Sequence, residues 1–237
     1  MFVPKAARVK LPKSRFFPPA DLAEAEGIVL FGGRLSADWL LDAYAHGIFP
    51  WPIFDGVELM VWWSPDPRAI FELDAFHISH RLRRTCRSGK FTVTCDQDFA
   101  GVIQGCATAD DRASNTWITP QMIEAYRHLH ELGHAHSVEV WQDGVLVGGT
   151  YGVALGGLFA GESMFCRVRD ASKVALVHLV HHLRSRGYTL FDIQQLTEHT
   201  ASLGAIEIPR ASYLERLAAA IGLPVNFGTQ LGMPDWI

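Results

Sequence analysis

The apolar positions change their rhythm along the chain. Before about residue 70 they sit in short aromatic runs broken by proline and glycine, as in Phe16-Phe17-Pro18-Pro19, Gly32-Gly33, Ile48-Phe49-Pro50-Trp51-Pro52 and Trp62-Trp63-Ser64-Pro65-Asp66-Pro67. Such punctuation cuts regular structure into short pieces. One helix fits between the breaks, over 36–46, with Ser36 as N-cap, Leu40, Leu41 and Tyr44 on one face and Gly47 as stop. Beyond about residue 90 helical and alternating patterns follow one another. Thr119-Pro120 caps and opens a helix through Ile123, Tyr126, Arg127 and His130 to Gly133. Residues 137–141 alternate as a strand, Asp143-Gly144 forms a two-residue hairpin turn, and 145–155 forms the partner strand. A third strand over 158–165, a helix over 171–185 closed by Gly187, a short strand over 189–194 and a helix over 212–221 complete the pattern.

This order predicts an α+β fold: a small irregular N-terminal domain, then a domain with a mainly antiparallel sheet flanked by helices. The boundary is placed at residue 70, or as late as about 90, with 71–237 as the larger domain. Acetyltransferase-like (GNAT-like) folds share the succession of helix, hairpin, third strand, long helix and strand, and often bind an acyl donor beside the third strand. That is fold-level analogy. No internal repeat or low-complexity stretch interrupts the chain.

Composition narrows the class. The 237 residues are 49% hydrophobic and 19% charged, and the four cysteines include no CxxC pair, so they read as reduced thiols. No apolar run is long enough to span a membrane. The first seventeen residues carry Lys5, Arg8, Lys10, Lys13 and Arg15 rather than an apolar leader, which predicts a cytoplasmic protein. A net charge of −4 argues against a surface coated in cations for nucleic acid. It leaves room for a local patch, and Arg81, Arg83, Arg84, Arg87 and Lys90 form one with no acid among them. By spacing alone that run reads more simply as a solvated helix end and turn.

Candidate chemistry gathers late in the chain. Asp192 and Gln194 stand two apart in the short strand, so alternation places them on one face with Leu190 and Leu196. A strand end emerging into water explains the pair equally well; a proton-relaying pair is the functional reading. Glu162 interrupts the small and apolar run Phe159 to Phe165, and on a neighbouring strand it would add to a polar floor in an apolar cleft. Gly161-Glu162-Ser163 lacks the second glycine of a nucleophile elbow, which excludes a serine hydrolase on that motif. His134, His136, His178, His181 and His182 are abundant, yet no ligand spacing or partner carboxylate makes them a metal site. Trp62, Trp63 and Trp117 read as loop aromatics, either satellite core or platforms for a nucleobase.

Together these pieces resemble the leucyl/phenylalanyl-tRNA protein transferase family. The matching strings, in order, are Gly47-Ile48-Phe49-Pro50-Trp51, Trp62-Trp63-Ser64-Pro65-Asp66-Pro67-Arg68, Thr116-Trp117-Ile118-Thr119, Leu129-His130-Glu131-Leu132-Gly133-His134-Ala135-His136-Ser137, Gly161-Glu162-Ser163-Met164-Phe165, Asp192 with Gln194, and His199-Thr200-Ala201-Ser202-Leu203-Gly204-Ala205. The resemblance implies an enzyme that moves leucine or phenylalanine from aminoacyl-tRNA to the α-amino group of proteins beginning with Arg or Lys, marking them for N-degron proteolysis. By the same resemblance Asp192 orients and polarises Gln194, whose amide oxygen helps take a proton from the attacking amine, and Glu162 helps hold the substrates. Trp62, Trp117 and Tyr126 would meet the terminal adenosine. Thr150, Phe159, Met164, Leu176, Leu179 and Leu183 would line the amino-acid pocket, with Thr150 where the family commonly has a larger apolar residue. The patch from Arg81 to Lys90 would meet the tRNA acceptor stem.

The ester is already activated, so no metal or other cofactor is implied, only positioning and removal of a proton. A monomer is expected. The alternatives are an acetyltransferase-like enzyme using acyl-coenzyme A, which would want a Gly-rich turn that Arg167 to Ala171 does not offer, and a non-catalytic tRNA-binding protein.

Overall fold

The computed structural model describes residues 10–54, 58–109, 116–232, 234 and 236. The first part of the chain builds β1 (Ile28–Phe31), α1 (Ala37–Ala45), β2 (Phe49–Pro50), β3 (Ile53–Phe54), β4 (Glu58–Leu59) and β5 (Val61–Trp63). Strand β5 pairs with both β1 and β2, and β3 pairs with β4. Trp62 and Trp63 therefore lie in a strand and not in a loop. The following prolines hid that pairing from the sequence.

The larger part contains β6 (Arg68–Phe71), α2 (His80–Arg87), β7 (Thr92–Cys95), α3 (Phe99–Thr108), α4 (Pro120–Glu131), β8 (Ala135–Gln142), β9 (Val145–Leu155), β10 (Leu158–Cys166), α5 (Ala171–Arg186), β11 (Leu190–Gln194), α6 (Glu198–Ala201), β12 (Ala205–Ile208) and α7 (Arg210–Ile221). Among the described residues its sheet has seven strands in the order β12-β6-β11-β10-β9-β8-β7. Every pairing is antiparallel except that of β10 with β11. The expected mainly antiparallel sheet flanked by helices is what forms.

Local chemistry explains the best-defined pieces. The Thr119 side chain accepts from the Met122 backbone N–H, and Pro120 occupies the first turn, where its missing N–H costs nothing. Thr119→Ala is expected to lower stability by about 1 kcal/mol, read by urea unfolding. At the β8–β9 turn Asp143 and Gly144 both have positive φ, 51° and 76°, the twist that a tight hairpin requires.

Alternation along the strands splits the core in two. Leu158 and Ala160 face one cluster with α1, α3, α4 and α7, whereas Phe159 faces the other with α5. The first cluster joins Leu40, Tyr44 and Trp62 to Tyr126, Tyr151 and Tyr213, so the early part of the chain shares its core with the large sheet.

Candidate active site

The parallel register of β10 and β11 ends at Ala160 opposite Asp192. Just beyond it both strands are bulged: β10 between Gly161 and Ser163 in its pairing with β9, and β11 between Asp192 and Gln194 in its pairing with β6. Bulges re-aim side chains and end pairing. Here they set Glu162 and Gln194 against each other, Gln194 Nε2 donating to Glu162 Oε1 at 3.1 Å. Even spacing therefore does not keep Asp192, Gln194 and Leu196 on one face, because the β11 bulge and the left-handed Gln194 break the alternation. Leu190 is buried in the first core cluster, but Leu196 lies beyond β11 and is exposed.

Asp192 is fully buried and its carboxylate accepts four hydrogen bonds. Arg68 Nε reaches Oδ1 at 2.9 Å and Arg68 Nη2 reaches Oδ2 at 2.7 Å. Tyr213 donates to Oδ2 at 2.8 Å and the Gln194 backbone N–H to Oδ1 at 2.9 Å. The contact with Gln194 runs through its backbone, not its side-chain amide. Gln194 has φ 59°, a left-handed conformation that costs a non-glycine residue on the order of 1 kcal/mol or more. The Asp192 carboxylate offsets that cost by holding the amide.

Arg68 is buried to 1% exposure, between the rings of Phe49 at 4.8 Å and Tyr213 at 4.5 Å, and its Nη1 donates to the Gly47 carbonyl at 3.1 Å. Burial pulls its pKa down, but Asp192 beside it wins and the guanidinium is held protonated. Tyr213 is pushed well above the usual phenol range, first by burial and then by Asp192.

Glu162 keeps a small part of its surface in solvent within a densely packed surround. Burial pushes its pKa up to about 7; hydrogen bonds from Tyr44 and Tyr126 and the Arg68 charge act the other way, and Asp192 adds to the rise. Tyr126 donates to Glu162 Oε2 at 2.8 Å and shares a 2.5 Å hydrogen bond with Tyr44. One network thus runs from Tyr44 on α1 through Tyr126 on α4, Glu162, Gln194 and Asp192 to Arg68 and Tyr213.

The other expected residues fall in different places. Trp62 is fully buried, donates to the Gly32 carbonyl at 2.7 Å and packs on Phe17 and Trp39. It offers no open face for a base. Trp117 is half-buried and stacks on Trp51, centroids 4.4 Å apart and 17° between planes. Phe159, Leu176, Leu179 and Leu183 are buried together between the sheet and α5, with Met164 at the edge, opposite Thr150 in the β9–β10 register. Thr150 spends its hydroxyl on the Ser163 carbonyl at 2.9 Å. Arg81, Arg84, Arg87 and Lys90 are exposed and Arg83 half-buried, and Arg81 pairs with Asp170 at 3.1 Å. His136 pairs with Asp96 at 2.7 Å, His182 bonds the Phe227 carbonyl and both rings pack on Phe227, but among the described residues no group of three metal-ligating side chains forms.

Arg68, Tyr44 and Tyr213 had no assigned role in the sequence reading, and neither had Trp51 as a stacking partner. The usable signal was Arg68 itself, a lone cation entering the apolar run Ala69-Ile70-Phe71.

Comparisons with known proteins show the family. A family model described as leucyl/phenylalanyl-tRNA protein transferase matches residues 70–218, and one for that family's N-terminal domain matches 33–66. A leucyl/phenylalanyl-tRNA–protein transferase from Solidesulfovibrio magneticus is 54% identical over 205 residues, 86% of this chain and 82% of the relative. One from Anaeromyxobacter dehalogenans is 50% identical over 220 residues, 92% of this chain and 94% of the relative. Among solved structures, FemX aligns over 77% of this chain and 65% of its own at 12% identity and TM-score 0.41. A GCN5-related N-acetyltransferase from Kribbella flavida aligns over 70% and 57% at 14% identity and TM-score 0.38.

The class is therefore an aminoacyl-transferring enzyme, with a polar network set into an apolar core. The chain belongs to the leucyl/phenylalanyl-tRNA protein transferase family.

Proposed function

We propose that the network of Asp192, Gln194 and Glu162 carries out transfer of leucine or phenylalanine from aminoacyl-tRNA to the α-amino group of a protein beginning with Arg or Lys. The observation that carries this reading is the contact of Gln194 with Glu162 where β10 and β11 part. The α-amine attacks the ester carbonyl, the ester C–O bond breaks, the amine loses a proton and the departing ribose oxygen gains one. Gln194 turns its N–H toward Glu162, which leaves the amide oxygen for the incoming amine. Asp192, bound to Arg68 and Tyr213, fixes the backbone that presents Gln194. Ionised Glu162 accepts hydrogen bonds from the substrates.

The half-buried Trp51–Trp117 stack is the reading we favour for the terminal adenosine, in place of Trp62, and Tyr126 acts as a holder of Glu162. Phe159, Met164, Leu176, Leu179 and Leu183, with Thr150 opposite Met164 in the register, are the residues we favour for receiving the leucine or phenylalanine side chain. The cations from Arg81 to Lys90 take the acceptor stem. The parting of β10 and β11 after the parallel register, with the helix–hairpin–strand–helix–strand order, supports an acetyltransferase-like arrangement of residues 71–237 after a small domain at 1–70. An aminoacyl-tRNA substrate suits a cytoplasmic enzyme, and we read the protein as a monomer. Among the described residues no helix is long and apolar enough to cross a membrane.

Purified protein with labelled leucyl-tRNA is expected to label a peptide beginning with Arg or Lys and not one beginning with acetylated Arg. Absence of transfer from any aminoacyl-tRNA would overturn the function. Gln194→Ala is expected to slow transfer about a hundredfold, the low end for a positioned proton acceptor. An unchanged rate would remove Gln194 from the mechanism and leave the function standing.

A further inference from the structure

The basic patch on α2 is not a set of loose side chains. Arg83 and Arg87 lie one turn apart on the same helix face, and both guanidinium groups stand over the indole of Trp236, at 4.7 and 5.6 Å from its centroid. Arg87 Nε also donates to the Trp236 carbonyl at 2.5 Å. Trp236 is itself packed against the core cluster that holds Leu82, Cys86 and α5. Two like charges at this spacing repel, and the negative face of an indole lessens that repulsion.

We propose that Trp236 is a positioning residue of the nucleic-acid surface, holding Arg83 and Arg87 in place to receive a phosphodiester backbone. This rests on the reading of the patch as the acceptor-stem contact. A guanidinium lying on an aromatic face spends its π surface and keeps N–H groups along its edge for phosphate oxygens. In Arg87 the Nε–H is already committed, so the terminal nitrogens are the ones offered. Free arginines would each have to lose side-chain rotamer freedom on meeting the phosphates, and the indole takes that loss beforehand. Trp236 carries no charge and so adds affinity without adding a counterion-releasing contact.

The test uses the whole chain, an uncharged tRNA ending in CCA for binding, and leucyl-tRNA with an Arg-initiated peptide for turnover. Trp236→Ala is expected to weaken tRNA binding about fivefold and raise KM for leucyl-tRNA alike, with kcat unchanged. The slope of log affinity against log salt stays as in the parent. Arg83→Ala and Arg87→Ala are each expected to weaken binding and reduce that slope by about 0.7–0.9, because each removes one phosphate contact. Trp236→Phe, which keeps an aromatic face, is expected to recover most of the affinity. Unchanged or tighter binding by Trp236→Ala overturns the proposal, as does failure of Trp236→Phe to rescue. If the two arginine variants bind like the parent, the acceptor-stem reading itself falls; if they weaken while Trp236→Ala does not, only the role of Trp236 falls.

Discussion

Asp192→Asn is expected to lose both stability and transfer activity, and the two losses are separable. The substitution leaves Arg68 charged and 1% exposed, between two aromatic rings, with no countercharge at Asp192. Breaking a buried ion pair from one side costs about 3–5 kcal/mol, because the surviving charge remains desolvated. For a chain of this size that corresponds to a fall in Tm of about 10 °C. The double variant Arg68→Met with Asp192→Leu removes both charges, so its Tm is expected to recover part of the loss; the rest stays lost because the Tyr213 hydroxyl, the Gln194 backbone N–H and the Gly47 carbonyl lose their partners. Activity is expected to stay lost, since the Gln194 backbone N–H has no acceptor in its left-handed conformation. A parental Tm in Asp192→Asn would contradict the buried pairing. Activity in the double variant would contradict the role given to Asp192.

Glu162→Gln should abolish a pH dependence. The folded-state pKa of Glu162 is raised from 4.5 to about 7, so the folded protein binds this proton more tightly than the unfolded chain. Stability from this group is fully present below about pH 4.5 and is lost as pH rises toward 7, with no further change above. The size is at most about 3 kcal/mol, and less to the extent that the carboxylate touches solvent. Urea unfolding of the parent is expected to show higher stability at pH 5 than at pH 8 relative to Glu162→Gln. In the same variant kcat/KM for transfer is expected to fall about a hundredfold or more and to lose an inflection near pH 7. The inflection from the acceptor α-amine, near 7.7–8.0 in free form, remains. An inflection near 7 that survives the substitution would assign it to another group.

Elements with local signatures were legible in the sequence. The Thr119-Pro120 cap, the Asp143-Gly144 turn and the helix ending at Gly187 are specified by residues within a few positions of one another, and each forms where the pattern put it. Strands β6 and β12 were not legible, because each is four residues long and pairs with strands far along the chain. Helix α3 was hidden by its own glycines. Gly105, which disfavours a helix locally, is there because the Phe165 ring lies where a side chain would be, 2.8 Å from the position of a Cβ. The candidate site was half legible. Asp192, Gln194 and Glu162 stood out as polar residues in apolar strands, but alternation could not reveal the two bulges that bring them together. Trp62 and Trp51 look alike in a Pro-rich string; only the packing of Phe17 and Trp39 on Trp62 separates them.

The order in which the network's members leave the ribosome follows from where they lie. Tyr44 and Arg68 are made early, Glu162 and Asp192 late, and Tyr213 belongs to α7, the last helix among the described residues. A growing chain thus carries the Arg68 cation and the Tyr44 and Tyr126 phenols well before it has the groups that would put them to use. Transfer activity can switch on only after α7 has been made and has packed against Asp192.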